Sequence, residues 1–264
     1  MARALLNAVP EWALIVVFVV AAVILAIGGI ALLRAFLPAW RDESSSQVVL
    51  AVSAIVMTFF ALLLALVIVD LHGSYKDAST DVEEEASSLS KIETDADAFP
   101  DAPKASVEKS VADYIVEVRD HEFPALRAGH EDPESQRKLL EISRALRGYT
   151  PETETQISFY NSAVSQADAL ITERNARVTS ADAAVPGTLI ALLFSLAVIS
   201  IITSLFLKTH HGGLDAILVV SLASVVGLAL ATVLILEYPF SGSIAVSSDP
   251  LVQGSLGQIV EQYR

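Results

Sequence analysis

Apolar and polar stretches follow one another along this chain in a fixed order: two apolar runs, a long polar middle, then two more apolar runs. The runs are Ala13–Leu33, Val48–Val69, Gly187–Leu207 and Ala216–Leu236, and no Asp, Glu, Lys or Arg interrupts any of them. A helix needs about 20 apolar residues to cross a hydrocarbon layer ~30 Å thick, and each run is close to that length. Within lipid the backbone must satisfy its own hydrogen bonds, so such a run reads as a spanning helix. The pattern predicts an all-α membrane protein. Its four transmembrane helices form two hairpins, and a soluble helical bundle is inserted between the second and third. By residue, the expected divisions are 1–70 for the first hairpin, 71–185 for the soluble domain, 186–237 for the second hairpin and 238–264 for a tail. The first run exceeds the ~7–15 apolar residues of a signal-peptide core. Arg3 is its only nearby base, and no small-x-small cleavage site follows. It is therefore expected to be a retained helix.

Helical spacing continues beyond the second run. Leu71, Tyr75, Ala78, Val82, Ala86, Leu89 and Ile92 recur in steps of four and three, while Glu83, Glu84, Lys91 and Glu93 fall off that line. The spacing extends the second helix to about Glu93, with Gly73 a weak point, and leaves Asp95–Lys104 as a loop around Pro100 and Pro103. Val107, Val111, Tyr114, Ile115 and Val118 then line one helix face, with Glu108, Lys109, Glu117 and Asp120 off it. Asp132-Pro133-Glu134 supplies a cap, a proline at the first helical position and an early acid, and Gly148 closes the helix of Leu139, Ile142 and Leu146. Thr150-Pro151-Glu152 repeats the start signal for a long helix with a seam of Ile157, Tyr160, Val164, Ala167 and Ile171. Pro186 breaks or kinks the chain before the third run. Short connections between such helices fit a bundle. No structure is assigned to Glu237–Arg264.

Charge narrows the class of partner. Between Leu71 and Val185 lie 23 of the 31 acidic and 12 of the 17 basic residues, so most of the net charge of −14 sits there. An acidic surface excludes the basic footprint that nucleic acid requires, and it disfavours docking on anionic lipid through this domain. There is no cysteine, hence no disulfide framework or thiolate chemistry. Arg34, Arg41 and Lys208 on one side, against Arg3, Lys76, Arg174 and Arg177 on the other, give almost no asymmetry from which to orient the helices.

Candidate chemistry is sparse. Ala223, Gly227 and Ala231 recur every four residues, and Ala22, Ala26 and Gly29 give the first run a similarly smooth face. Small residues let spanning helices approach closely, within one chain or between copies. Ser195, Ser200 and Thr203, with Thr188 and Ser204, put hydroxyls on the third run, where they either solvate an ion or bond to carbonyls one turn back. Phe59 and Phe60 either narrow a hydrophobic gate or face lipid and core. No ionisable residue lies inside a run, which disfavours a proton-coupled transporter. Asp70, His72, Asp215 and Glu237 at the run ends read as anchors or caps. The acidic stretch Asp81–Asp101 lacks an Asp-x-Asp-x-Asp-Gly loop and reads as a solvated face rather than a calcium site. His210-His211 has only Asp215 nearby, too little for a metal site. No nucleophile elbow, phosphate-binding loop or His-Glu-x-x-His motif is present. The Glu and His residues of the polar middle read as scattered over solvated helix faces, so neither an enzyme nor a cofactor is expected.

Several strings in order match a known family. Tyr75 and Ala78 are followed by Val82, Glu85, Ala86 and Leu89, then Pro100, then Tyr114, Val118, Glu122, Pro124 and Leu126. Arg174 and Arg177 precede Pro186, and Pro239-Phe240-Ser241-Gly242 follows the fourth run. With these the chain resembles the bestrophin-like family of bacterial membrane proteins over roughly Val48 to Gly242. Bestrophins proper are pentameric anion channels with four membrane helices and a large helical cytosolic domain. The resemblance therefore implies a homo-oligomer in the cell membrane, crossing it several times, and an anion channel. No pore residue is carried over with it. The other reading is a non-conducting scaffold or sensor whose helical domain binds a partner or ligand outside the bilayer.

Overall fold

The computed structural model describes residues 2–36, 46–182, 185–206, 212–242 and 244–264. Arg41, Lys208, His210 and His211 lie outside these, as do the side chains of Arg34 and Asp215. In chain order the helices are α1 (Ala2–Ala8), α2 (Glu11–Phe36), α3 (Ser46–Ala96), α4 (Asp101–Glu117), α5 (Phe123–Ala128), α6 (Pro133–Arg147), α7 (Glu154–Ser180), α8 (Gly187–Leu205), α9 (Gly212–Leu236) and α10 (Gly254–Gln262). A π turn at Val118–Glu122 joins α4 to α5, and a 3₁₀ turn spans Asp249–Val252. No strand occurs among the described residues. Four helices are long and apolar enough to cross a membrane, at Glu11–Leu32, Val48–Ala96, Gly187–Leu205 and Ala216–Leu236.

Contacts divide the chain into two units, Met1–Gly73 with Ala183–Glu237 and Ser74–Asp182 with Tyr238–Arg264. In the first unit α2 packs most extensively along α9, and α8 touches both. A cluster of Ala22, Ala26, Leu205, Val219 and Ala223 lies on these faces. A second holds Phe60, Val67 and Leu71 of α3 with Leu193 and Ala197 of α8 and Val226 and Val233 of α9. Large apolar side chains elsewhere on these helices point outward, Leu25, Leu62, Leu66 and Val69 among them. That distribution suits a hydrocarbon solvent, in which burying apolar surface gains little.

α3 passes through Gly73 without a break. Nothing lies within 4 Å of where a Cβ on Gly73 would stand. Glycine inside a helix costs about 0.5–1 kcal/mol relative to alanine. Gly73→Ala is expected to raise the melting midpoint of the detergent-solubilised protein by about 2–4 °C. A lowered midpoint in scanning fluorimetry would show that the position needs glycine's freedom.

The second unit has one continuous core of Ala78, Val82, Leu89, Ile92, Val111, Ile115, Leu139, Ile142 and Leu170, with others. Several sequence expectations shift here. α3 runs to Ala96 and α4 starts at Asp101, so the loop expected over Asp95–Lys104 shrinks to a tight turn. Pro103 is tolerated because first-turn N–H groups have no intrahelical acceptor. Asp132 caps α6 as expected, accepting from the backbone N–H groups of Glu134 and Ser135. α7 begins at Glu154 rather than behind Thr150, because Thr153 and Gln156 form a reciprocal capping box. Its buried face is Ala163, Ala167, Leu170, Arg174 and Arg177, rotated from the expected seam, while Ile157 is exposed. The tail is ordered: α10 buries Leu256, Ile259 and Val260 and packs on α4, and Tyr263 Oη donates to Glu108 Oε2 at 2.9 Å. Glu108, expected off the buried face, is buried by that contact.

Candidate functional site: a buried charge cluster

Positions 82, 85, 89 and 92 share one face of α3, so an acid at 85 faces inward among valine, leucine and isoleucine. Burying a lone carboxylate there is prohibitive, and a partner must arrive from elsewhere. It comes from α7. Arg177 Nε donates to Glu85 Oε2 at 2.6 Å and Nη2 to Oε1 at 3.3 Å. Nη2 also meets Glu122 Oε2 at 2.7 Å. One turn away, Arg174 pairs with Glu122 Oε1, and its Nη1 donates to Gln136 Oε1 of α6 at 2.6 Å. Tyr114 of α4 donates from Oη to Glu85 Oε1 at 2.5 Å. Arg177 is wholly buried, as are Glu85 and Glu122.

Proline helps place Glu122. Pro124 has no N–H, and its ring crowds the carbonyl of residue 120 in a regular helix. The backbone widens into the π turn, where the Phe123 N–H reaches back five residues to Val118 O. Val118 and Glu122 then both face the core. π turns of this kind recur at functional sites. α5 ends on Gly129 at φ 83°, a left-handed conformation that favours glycine.

Electrostatically the two arginines balance the two glutamates. Burial alone pulls the Arg177 pKa down, but Glu85, Tyr114 and Glu122 outweigh it and hold the guanidinium above its ordinary value. Burial, reinforced by the Glu85 charge, pushes the Tyr114 phenol well up, so it remains a proton donor. The Phe123 ring lies 5.3 Å from Arg177 Cζ, and Phe240 meets that ring edge-on at 5.7 Å. Ser241 Oγ donates to Arg127 O at 3.1 Å, Pro239 O accepts from Val246 N at 2.8 Å, and Gly242 turns the chain at φ 87°. Strings from Glu85 to Phe240 thus converge on one place. Tyr75 packs against the same core, and Pro124 itself is exposed.

This overturns the reading of Asp81–Asp101 as wholly solvated and of the glutamates as scattered over polar faces. Periodicity could have signalled it, because Glu85, Arg174 and Arg177 all occupy seam positions. Phe123 and Gln136, which also meet the arginines, carry no mark in their local sequence. The cluster has the chemistry of a structural lock: both glutamates pair with arginine and the Tyr114 hydroxyl donates to Glu85, while Arg174 Nε and Arg177 Nη1 are buried without an acceptor among the described residues. No group of three or more His, Asp or Glu arranged to hold a metal occurs among the described residues.

The remaining candidates lie in the first unit. Gly227 abuts α2, where an added Cβ would stand 2.8 Å from Phe18 O and 2.9 Å from Val19 Cα. Ala223 and Ala231 are also fully buried. Phe59 and Phe60 diverge: Phe59 is 62% exposed and Phe60 only 2%. Phe59 lines an apolar groove of about 440 Å³ with Leu62, Leu63, Leu66, Leu192 and Leu196. The hydroxyls diverge too. Ser195 is exposed and bonds Ala191 O at 2.8 Å, Thr203 bonds Ser200 O at 3.1 Å, and Ser200 is buried.

Compared with known families, the chain matches the Bestrophin-like domain over residues 20–251. Neither a curated protein nor a solved structure matches it.

Proposed function

Because the chain belongs to the bestrophin-like family, we propose that it is a multi-pass protein of the cell membrane whose copies assemble into an anion channel. Two transmembrane hairpins, with the acidic helical domain inserted between them, complete this reading. The observation that carries it is the family match over residues 20–251, which takes in three of the four apolar helices whole and the first from residue 20. The outward apolar faces of α2, α3 and α8 agree with it, since a single copy leaves them to lipid or to another copy. A net charge of −14 opposes anion entry, so the path must keep the carboxylates of the second unit at a distance.

The test is flux and mass together. Purified protein in liposomes is expected to release chloride faster than empty liposomes, and the solubilised particle is expected to weigh several chains. Absence of flux from a multi-chain particle, in chloride or in other salts, would remove the channel. A lone chain without flux favours the alternative, a membrane scaffold or sensor whose second unit binds a partner. That alternative draws on α3, one unbroken helix of 51 residues from the apolar run into the polar unit.

A further inference from the structure

Three contacts join α3 to α7 in antiparallel order. Ser180 Oγ donates to Asp81 Oδ2 at 2.9 Å, Arg177 Nε to Glu85 Oε2 at 2.6 Å, and Ser88 Oγ to Glu173 Oε1 at 2.9 Å. On α3 the positions are 81, 85 and 88, one stripe of a helix; on α7 they are 180, 177 and 173, the same stripe in reverse. The middle contact is a fully buried ion pair. The outer two are of another kind, because a hydroxyl brings no charge to balance its carboxylate.

We propose that this seam is an acid-tightened clasp: its outer carboxylates, Asp81 and Glu173, accept from serine where the middle one accepts from arginine, and crowd further acids, so α3 and α7 grip harder as the medium acidifies. Asp81 is faced by Asp77, Glu84 and Glu85 along its own helix and by Ser180 from α7. Glu173 is faced from α3 by Ser88, Glu85 and Glu84, and by the cation of Lys91. Arg177 is taken up by Glu85 and Glu122. Glu173 Oε2 is buried without a donor among the described residues. A proton there replaces a poorly solvated charge and removes repulsion from Glu84 and Glu85.

The direction follows from linkage. Burial is the largest cause holding both carboxylates above their ordinary values, opposed by the serine hydrogen bonds and reinforced by neighbouring acids. The folded state therefore binds these protons more tightly than the unfolded chain. Their stabilisation is complete below the ordinary carboxylate range and is lost as pH rises through the raised folded-state values. Ordinary carboxylates titrate near pH 4, so the gain develops above that range and is complete below it.

The amides Asp81→Asn and Glu173→Gln imitate the protonated state. In full-length protein in detergent, the double variant is expected to melt about 2–4 °C above the parent at pH 7.5, with the gap closing as pH falls toward 4.5. Asp168→Asn, an exposed acid on the same α7, is expected to show no such convergence. A gap that stays constant with pH, or a double variant melting below the parent at pH 7.5, would overturn the clasp. Each single variant is measured as well, so that a folding defect at one position cannot hide the effect of the other.

Discussion

Arg177→Met is expected to abolish the folded second unit at growth temperature. The substitution keeps an unbranched apolar stem, shorter than that of arginine, and leaves Glu85, fully buried, with the Tyr114 hydroxyl as its remaining partner among the described residues. Glu122 keeps Arg174 and loses its bond to Arg177. Removing one member of a buried pair costs about 3–5 kcal/mol, because the other charge stays stranded. Against a total stability of roughly 5–15 kcal/mol, that loss is decisive. The readout is the yield of monodisperse protein after solubilisation, followed by its melting midpoint. Arg177→Lys is expected to fare little better, since an ammonium cannot hold Glu85 through two nitrogens while also reaching Glu122. Tyr114→Phe removes one donor from the buried Glu85 carboxylate and is expected to cost about 1.5–3 kcal/mol, less than loss of the arginine. The combination Glu85→Leu with Arg177→Met is expected to recover part of the loss, as apolar replacements of whole buried pairs commonly do. A single Arg177→Met variant melting within about 2 °C of the parent would mean that the cluster holds little of the fold together.

In the first unit the largest effect is expected from Gly227→Leu. The atoms that an added Cβ would strike, Phe18 O and Val19 Cα, belong to backbone and cannot rotate aside. α2 and α9 would have to separate along their most extensive contact. Overpacking of this kind costs about 1–3 kcal/mol in a core whose neighbours can shift, and more where the obstacle is main chain. Lipid provides no hydrophobic gain to offset the lost packing. The expected result is a fall in melting midpoint of about 5 °C or more. Gly28→Leu is the matched control: nothing lies within 4 Å of its Cβ position, and leucine there is expected to be harmless. Equal behaviour of the two variants would refute close packing at Gly227.

What could be read from the chain followed from physics local to it. The four long apolar helices announce themselves because a run of about 20 apolar residues is the length a bilayer asks for, and α6 because Asp132 and Pro133 satisfy its first turn. Val107, Val111, Tyr114, Ile115 and Val118 were visible as a buried face because only apolar and aromatic spacing is involved. Glu85 and Arg177, though at seam positions, read otherwise for the opposite reason. Each looks like a solvated charge until a partner 92 residues away is brought beside it. The family strings picked out both, together with Glu122, Arg174 and Phe240, without indicating that they meet. The rotated seam of α7 has the same origin: its inner face carries Arg174 and Arg177, which a search for apolar residues passes over. The order in the tail depends on α4 receiving α10, and no local signal in 254–262 declares that surface.

The wide turn before Pro124 has a consequence for insertions and deletions. A helical residue advances the direction of its side chain by about 100°. Deleting one residue between Val118 and Glu122 would keep the proline while removing the extra residue that lets the backbone pass it, and would change the direction from which the acid approaches both arginines. A chain shortened by one residue at this point must therefore either give up Arg174 and Arg177 as buried charges or find another anion for them, which makes spacing, more than identity, the quantity to compare there.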